Sequence, residues 1–189
     1  MKQIKFLAAI CCVITLCSCG NSSKSSLEES KSVKDADGKE YADYHEACRV
    51  GDFESAHTLL NKMESELNDF YENNEMVVTK KGIFSNDYDK TNLNKFEKLC
   101  QNQIDAILYV YGEEIKYILG MDDFKDPDKK AKILLSEAEN DGKRIVNKVN
   151  QEHPTTGWTM ERNFNESMES LNKLVESITG NAVEKESEE

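Results

Sequence analysis

The chain has 189 residues, and its 24 Lys and Arg against 36 Asp and Glu give a formal charge of −12. Hydrophobic residues make up 38% and charged residues 32%, which is typical of a globular domain and excludes a polytopic membrane protein. Affinity for nucleic acid comes from clustered Lys and Arg that contact phosphate. This acidic chain is therefore expected to have no nucleic-acid partner.

Residues 1–18 have the pattern of a secretory signal peptide. Lys2 and Lys5 make a positive start, and an apolar run at residues 6–16 follows. A helix of that length spans only about 16 Å, roughly half of a hydrocarbon core of about 30 Å, so the run is too short to cross a bilayer. The chain is therefore expected to be exported and cleaved.

The end of this segment reads Leu16, Cys17, Ser18 and Cys19. It resembles the lipobox of bacterial lipoproteins, which has a branched apolar residue, small residues and then an obligatory cysteine, although Cys17 departs mildly from the usual small residue. The resemblance implies cleavage before Cys19, a diacylglycerol on its sulfur, and a fatty acyl chain such as palmitate on its new amino group. Two or more such chains anchor a protein stably, at about 0.8 kcal/mol per buried CH₂.

The residue after the expected lipidation site is Gly20, not aspartate. In the sorting rule of enteric bacteria, this choice implies the outer membrane. The alternative is an ordinary cleaved signal with an incidental cysteine. The lipobox resemblance implies that Cys19 is the lipidation site and that the protein is a lipoprotein of the cell envelope.

Composition divides the rest of the chain into three parts. Residues 19–39 are rich in Ser and charge and poor in large apolar side chains, so we expect the lipidated cysteine to be followed by a flexible linker. Residues 40–180 form one domain. Residues 181–189 are strongly acidic, and we expect a disordered tail there.

Apolar residues recur at helical spacing through the domain, which predicts an all-α bundle of about five helices. The first is expected from about residue 41 to 50. The next four carry the stripes Phe53, Ala56, Leu60, Met63, Leu67 and Phe70; Leu93, Phe96, Cys100, Ile104, Ile107, Tyr111, Ile115 and Ile118; Leu134, Ala138, Ile145 and Val149; and Met160, Phe164, Met168, Leu171, Val175 and Ile178. Asp126 and Pro127 are expected to start the fourth helix, Gly142 to weaken it, and Gly180 to end the fifth.

The segment around Gly51 and Asp52 has the features of a helical hairpin. This pair would break one helix and cap the next, Phe53 would fill the gap between them, and Ala56 and Leu60 would pack at the interface. The pattern resembles the helix pair of tetratricopeptide repeats. No second copy follows 34 residues later, and an array needs at least three repeats, so we expect one tetratricopeptide-like hairpin at the start of the bundle.

His45, Cys48 and His57 are the nearest approach to a metal-binding set, with Glu46 or Glu54 as a further ligand. No paired ligand motif repeats, so we expect no metal and keep these residues as candidates only. No G-x-S-x-G, P-loop, HExxH or Rossmann glycine pattern is present, so no catalytic residue is predicted.

Two cysteines, Cys48 and Cys100, remain in the mature domain. Export to an oxidising compartment would permit a disulfide between them. Both also lie on or beside apolar stripes, where free cysteine acts as a small hydrophobe. The sequence leaves both alternatives open.

Two further segments are ambiguous. His153, Thr155, Thr156 and Trp158 cluster beside a proline and form either a binding cluster or a plug over one end of the bundle. Residues 75–90 form either a short hairpin with an exposed apolar patch or a cover for the core. The apolar residues of that segment are Val77, Val78, Ile83, Phe84 and Tyr88.

These observations predict a lipid-anchored, exported helical protein that acts as a non-catalytic binding or scaffolding module of the envelope, with no cofactor. Its expected partners are the membrane, through Cys19, and another envelope protein or peptide. One alternative is a metal-dependent or other enzyme that uses His45, Cys48 and His57. The other is a carrier of an apolar small molecule between helices.

Overall fold

A computed structural model describes residues 33–34, 40–81, 86–121 and 123–186, with side chains for 41–79, 88–121 and 123–179. The expected signal peptide, the lipidation site Cys19 and most of the expected linker lie outside the described residues. So do Ser187, Glu188 and Glu189 at the end of the expected tail.

The described residues form five helices and two pairs of short strands, which confirms the all-α prediction. In chain order the elements are β1 (Val33–Lys34), β2 (Glu40–Tyr41), α1 (Tyr44–Arg49), α2 (Phe53–Glu72), β3 (Val78–Lys81), β4 (Asn86–Asp89), α3 (Thr91–Leu119), α4 (Pro127–Glu152) and α5 (Pro154–Glu186). β1 pairs with β2 and β3 with β4, both antiparallel.

The hairpin of α1 and α2 forms where the sequence predicts it. Gly51 adopts φ 81°, a conformation that glycine accepts without strain, and Asp52 Oδ1 accepts a hydrogen bond from Ser55 N at 3.1 Å to cap α2. Ala56 is fully buried, and Phe53 is half-buried against Tyr117 of α3. The short turn therefore fixes α1 onto the start of α2.

Helix α3 lies at the centre of the bundle and packs against α1, α2, α4 and α5, while α4 also packs against α5. All four predicted apolar stripes face this core. The buried members are Ala56, Leu60, Leu67, Leu93, Phe96, Cys100, Ile104, Ile107, Tyr111, Ile115, Ile118, Leu134, Ala138, Ile145, Val149, Met160, Phe164, Met168 and Val175.

The ends of two elements differ from the sequence prediction. Helix α1 begins at Tyr44, not near residue 41, because Asp43 Oδ1 accepts a hydrogen bond from Glu46 N at 3.0 Å and so fixes the N-cap. Tyr41 instead belongs to β2 and is buried, paired with Val33 of the expected linker. At the other end, α5 continues past Gly180 to Glu186, so this glycine does not end the helix.

Helix α4 starts at Pro127, as predicted, but Asp126 does not cap it with its side chain. Asp126 adopts φ 55°, a left-handed conformation that Asp tolerates better than most residues, and its carboxylate makes no cap hydrogen bond. Proline at the first helical position needs no partner for a backbone N–H. The start of α4 is therefore set by Pro127 and by the turn before it.

In the portion of the chain that the structure describes, no helix combines the length and hydropathy needed to cross a membrane.

Candidate binding surface on helices α1 and α3

Three aromatic rings from α1 and α3 meet at the surface, and we call them the aromatic face: Tyr44, His45 and Tyr109. Tyr44 and His45 stack with ring centroids 4.1 Å apart, and Tyr109 lies 4.4 Å from His45 and 5.8 Å from Tyr44. The His45 side chain is 52% exposed and Tyr109 is 37% exposed, while Tyr44 is half-buried beneath them. Clusters of aromatic side chains that are exposed to solvent are typical of recognition surfaces.

The aromatic face is set by the helical spacing of α3. Asp105, Tyr109, Glu113 and Tyr117 are four residues apart, so they follow one stripe along the side of α3 that meets α1 and the α1–α2 turn. Tyr117 is 50% exposed and lies 5.3 Å, between ring centroids, from Phe53. We call this row the acid–aromatic stripe. It extends the surface beyond the aromatic face.

Carboxylates make this surface negative. Burial, followed by the charges of Asp105 and Asp43, raises the pKa of Tyr44 to about 12. Burial, followed by the charge of Glu113, likewise raises the pKa of Tyr109. These acidic groups therefore lie close enough to act on the rings, and both phenols stay neutral at physiological pH.

The helix ends hold the aromatic face in place. The N-cap bond of Asp43 fixes the first turn of α1, and Ala42 N donates in return to Glu46 Oε2 at 3.2 Å. Asp43 Oδ1 also lies 3.7 Å from Nδ1 of His45. The position of His45 thus follows from the capping of its own helix.

The three candidate metal ligands are engaged in different ways. His45 stacks on Tyr44, Cys48 is buried as a free thiol, and His57 Nε2 donates a 2.7 Å hydrogen bond to Glu114 Oε2. Across the described ranges, no group of three or more His, Cys, Asp or Glu has a geometry that could hold a metal ion. His45, Cys48 and His57 thus do not form a common ligand set in the described residues.

Cys48 and Cys100 are both free and buried, so the disulfide alternative is not realised. Burial is the main cause that raises the pKa of each thiol to about 12. A neutral, inaccessible thiol is a poor nucleophile and a poor metal ligand. Both cysteines act as small core residues.

The cluster of His153, Thr155, Thr156 and Trp158 lies at the junction of α4 and α5, and His153 joins it to α3. His153 Nδ1 contacts Glu97 Oε1 of α3 and lies 2.9 Å from Thr156 Oγ1. Trp158 is 64% exposed, with the Arg162 guanidinium 5.6 Å from its ring centroid. Of the two alternatives, a plug over one end of the bundle does not fit the exposed Trp158.

Within residues 75–90, β3 (Val78–Lys81) and β4 (Asn86–Asp89) pair in an antiparallel arrangement. Met76 is buried beneath it, whereas Val77, Val78 and Tyr88 are 40%, 38% and 62% exposed. Ile83 and Phe84 lie outside the described residues. The hairpin alternative is confirmed, and its described apolar side chains, apart from Met76, point partly into solvent.

No family model, no curated protein and no solved structure is significantly similar to the chain. The described residues form an all-α bundle that carries an exposed, acidic and aromatic surface on α1 and α3.

The sequence analysis did not identify this surface. It singled out His45 as a candidate metal ligand and left out Tyr44, Tyr109 and Tyr117. The four-residue spacing of Asp105, Tyr109, Glu113 and Tyr117 was the available signal, because these residues lie off the apolar stripe of the same helix.

Proposed function

We propose that this protein is a lipid-anchored binding module of the cell envelope, tethered through Cys19, exported by residues 1–18 and held at the outer membrane. It has no catalytic role on this proposal and uses no cofactor. The lipobox-like residues Leu16, Ser18 and Cys19 support the anchor. The body is joined to it by a polar segment.

The observation that carries the binding role is the exposure of the aromatic face. Tyr44, His45 and Tyr109 are fixed by two packed helices and by the capped start of α1, so a partner would meet a preformed surface. Preformed surfaces lose little conformational entropy when they bind, and exposed clusters of aromatic side chains often mark partner sites. The partner that fits this setting is another envelope protein or a peptide.

The anchor is tested by Cys19→Ala. We expect this variant to remain uncleaved or to leave the membrane fraction, because the lipid-bearing sulfur is gone. Fractionation and mass analysis of the amino terminus measure both. A Cys19→Ala protein that is still cleaved and still membrane-bound would contradict the anchor.

The binding role is tested with a photo-crosslinking amino acid at position 109, in cells that make the full-length protein. We expect a defined crosslinked envelope protein from position 109. The control is the same amino acid at position 158, an aromatic position in the first turns of α5 that is 64% exposed against 37% for Tyr109, so lower accessibility cannot explain a weaker signal there. Equal crosslinking from both positions, or none from position 109, would contradict a partner site on the aromatic face.

A further inference from the structure

The acid–aromatic stripe has a composition that selects for cations, and this inference rests on the proposed binding role. A carboxylate and a ring alternate along α3 as Asp105, Tyr109, Glu113 and Tyr117. The face of an aromatic ring attracts a cation, and a neighbouring carboxylate adds charge and hydrogen-bond acceptors. Each Tyr on the stripe thus has an acidic residue one helical turn away on its N-terminal side.

The charges around the stripe leave it negative after its own cations are counted. Among the described residues near the rings, the carboxylates are Asp43, Glu46, Asp105, Glu113 and Glu114, and the cations are Arg49 and Lys116. Lys116 Nζ pairs with Glu113 Oε1 at 2.7 Å, and Glu114 pairs with His57. Asp105 Oδ1 accepts a 2.8 Å hydrogen bond from Gln101 Nε2, which is a neutral partner.

Elsewhere this protein covers aromatic rings with its own cations. Lys95 Nζ lies 4.8 Å from the Phe70 ring centroid, and the Arg162 guanidinium lies 5.6 Å from that of Trp158. In the aromatic face the rings contact one another, the charge of Arg49 acts on Tyr109 against that of Glu113, and Tyr109 presents 37% of its surface to solvent. The stripe therefore offers ring faces and carboxylates to a cation from outside the chain.

We propose that the acid–aromatic stripe binds an arginine-bearing, basic segment of a partner protein. Guanidinium suits this surface better than ammonium because it is planar, stacks on rings and bonds carboxylates through two N–H groups. Tyr109 and Tyr117 are eight residues apart, or about 12 Å along the helix, which matches arginines four residues apart on an extended segment. A second copy of this chain is disfavoured as occupant because its own charge is −12.

The test uses the processed, lipid-bearing protein in non-ionic detergent and a dye-labelled peptide, Gly-Arg-Gly-Ser-Gly-Arg-Gly-Ser-Gly-Arg. Fluorescence anisotropy gives its Kd. A peptide with citrulline at each arginine is the neutral control of the same shape. We expect the arginine peptide to bind at least about tenfold more tightly and to weaken as salt is added.

Position-specific variants separate the stripe from the general negative charge. Tyr109→Leu and Asp105→Asn should each weaken binding about two- to fivefold, as expected for one cation–π contact or one exposed charge. Tyr109→Phe keeps the ring face and should bind like the original protein. Trp158→Leu and Glu161→Gln, on α5, are the matched controls and should leave the Kd unchanged.

Three outcomes would overturn the inference: equal binding of the citrulline peptide, equal effects of Tyr109→Leu and Trp158→Leu, or no binding of the arginine peptide at millimolar concentration. A partner that crosslinks from position 109 while the arginine peptide fails to bind would leave the proposed function standing and remove only this cation specificity. The two failures are therefore distinguishable.

Discussion

Gly142 and Gly112 are both buried in helix interiors, but their surroundings differ. A Cβ built on Gly142 would lie 2.2 Å from Cε2 and Cζ of Phe164, whereas one built on Gly112 would lie 3.8 Å from Leu171 Cδ1. The first distance is a severe overlap with a core ring, and the second is an ordinary contact. Gly142 therefore permits the close approach of α4 and α5 at the cost of weaker helix propensity.

We expect Gly142→Ala to lower the free energy of unfolding by about 1–3 kcal/mol, because overpacking outweighs the better helix propensity of alanine. Gly112→Ala is the matched control and should raise the free energy of unfolding by up to about 1 kcal/mol, since the added methyl makes an ordinary contact with Leu171. Urea unfolding followed by circular dichroism measures both. Equal changes in the two variants would contradict this account of Gly142.

Single residues were predictable where their role is local. Gly51 and Asp52 were assigned to the turn and cap from sequence, since both roles depend on backbone conformation within a few residues. Gln103 was not identified as buried. It is 2% exposed, and its Nε2 donates to Leu60 O at 3.1 Å, because α2 covers that side of α3.

At the scale of elements, a row of polar side chains joins α2 to α4. Arg144 binds Glu64 through two hydrogen bonds of 2.8 and 2.6 Å, Lys148 contacts Asn68, and the Tyr71 hydroxyl donates to Glu152 at 2.6 Å. The partners are 80 or 81 residues apart in each case, so the two helices run parallel and in register. This row fixes the axial register of α2 relative to α4.

We expect a double-mutant cycle of Glu64→Gln and Arg144→Gln to give a coupling energy of about 1 kcal/mol, near the upper end for surface ion pairs. The reason is the two-bond geometry and the shielding of Glu64, which is 17% exposed. The control is the same cycle on Glu169 and Lys173, whose side chains are 65% and 70% exposed and whose coupling should be smaller. Couplings of equal size would show that the Glu64–Arg144 pair is an ordinary exposed one.

Helices were predictable as elements, because each buries a stripe at the 3.6-residue period and this period is visible in the chain. Which helices pack against each other could not be predicted. The Glu64–Arg144 pair joins residues 80 positions apart, and nothing local in either helix selects one partner among the many acidic residues of the chain.

At the scale of the whole molecule, burial keeps two core thiols and one half-buried phenol neutral. Burial raises the pKa of Cys48 and of Cys100 from 9.0 to about 12, and that of Tyr44 from 10.0 to about 12. A folded-state pKa above the unfolded value means that the folded protein keeps the proton longer. The stability that these protonated groups contribute to the folded state is complete below about pH 9. It is lost as the pH rises from about 9 to 12.

We therefore expect the free energy of unfolding to change little from pH 7 to 8.5 and to fall above pH 9, by at most about 1.4 kcal/mol per pH unit for each thiol. Urea unfolding at a series of pH values measures this dependence. A protein that carries both Cys48→Ala and Cys100→Ala should be less stable at pH 7. Its free energy of unfolding should fall less between pH 9 and pH 11 than that of the original protein. An unchanged alkaline slope in that variant would contradict the assignment to the thiols.

The amino-acid sequence by itself determined the charge, the expected address at Cys19, the helical class and the Gly51 turn. These properties depend on composition or on contacts within a few residues of the chain. Only the tertiary structure decided that α3 lies at the centre, that His45 meets Tyr109, and that Trp158 faces solvent. Those outcomes depend on which helix faces pack together, and that choice is made by the whole set of contacts at once.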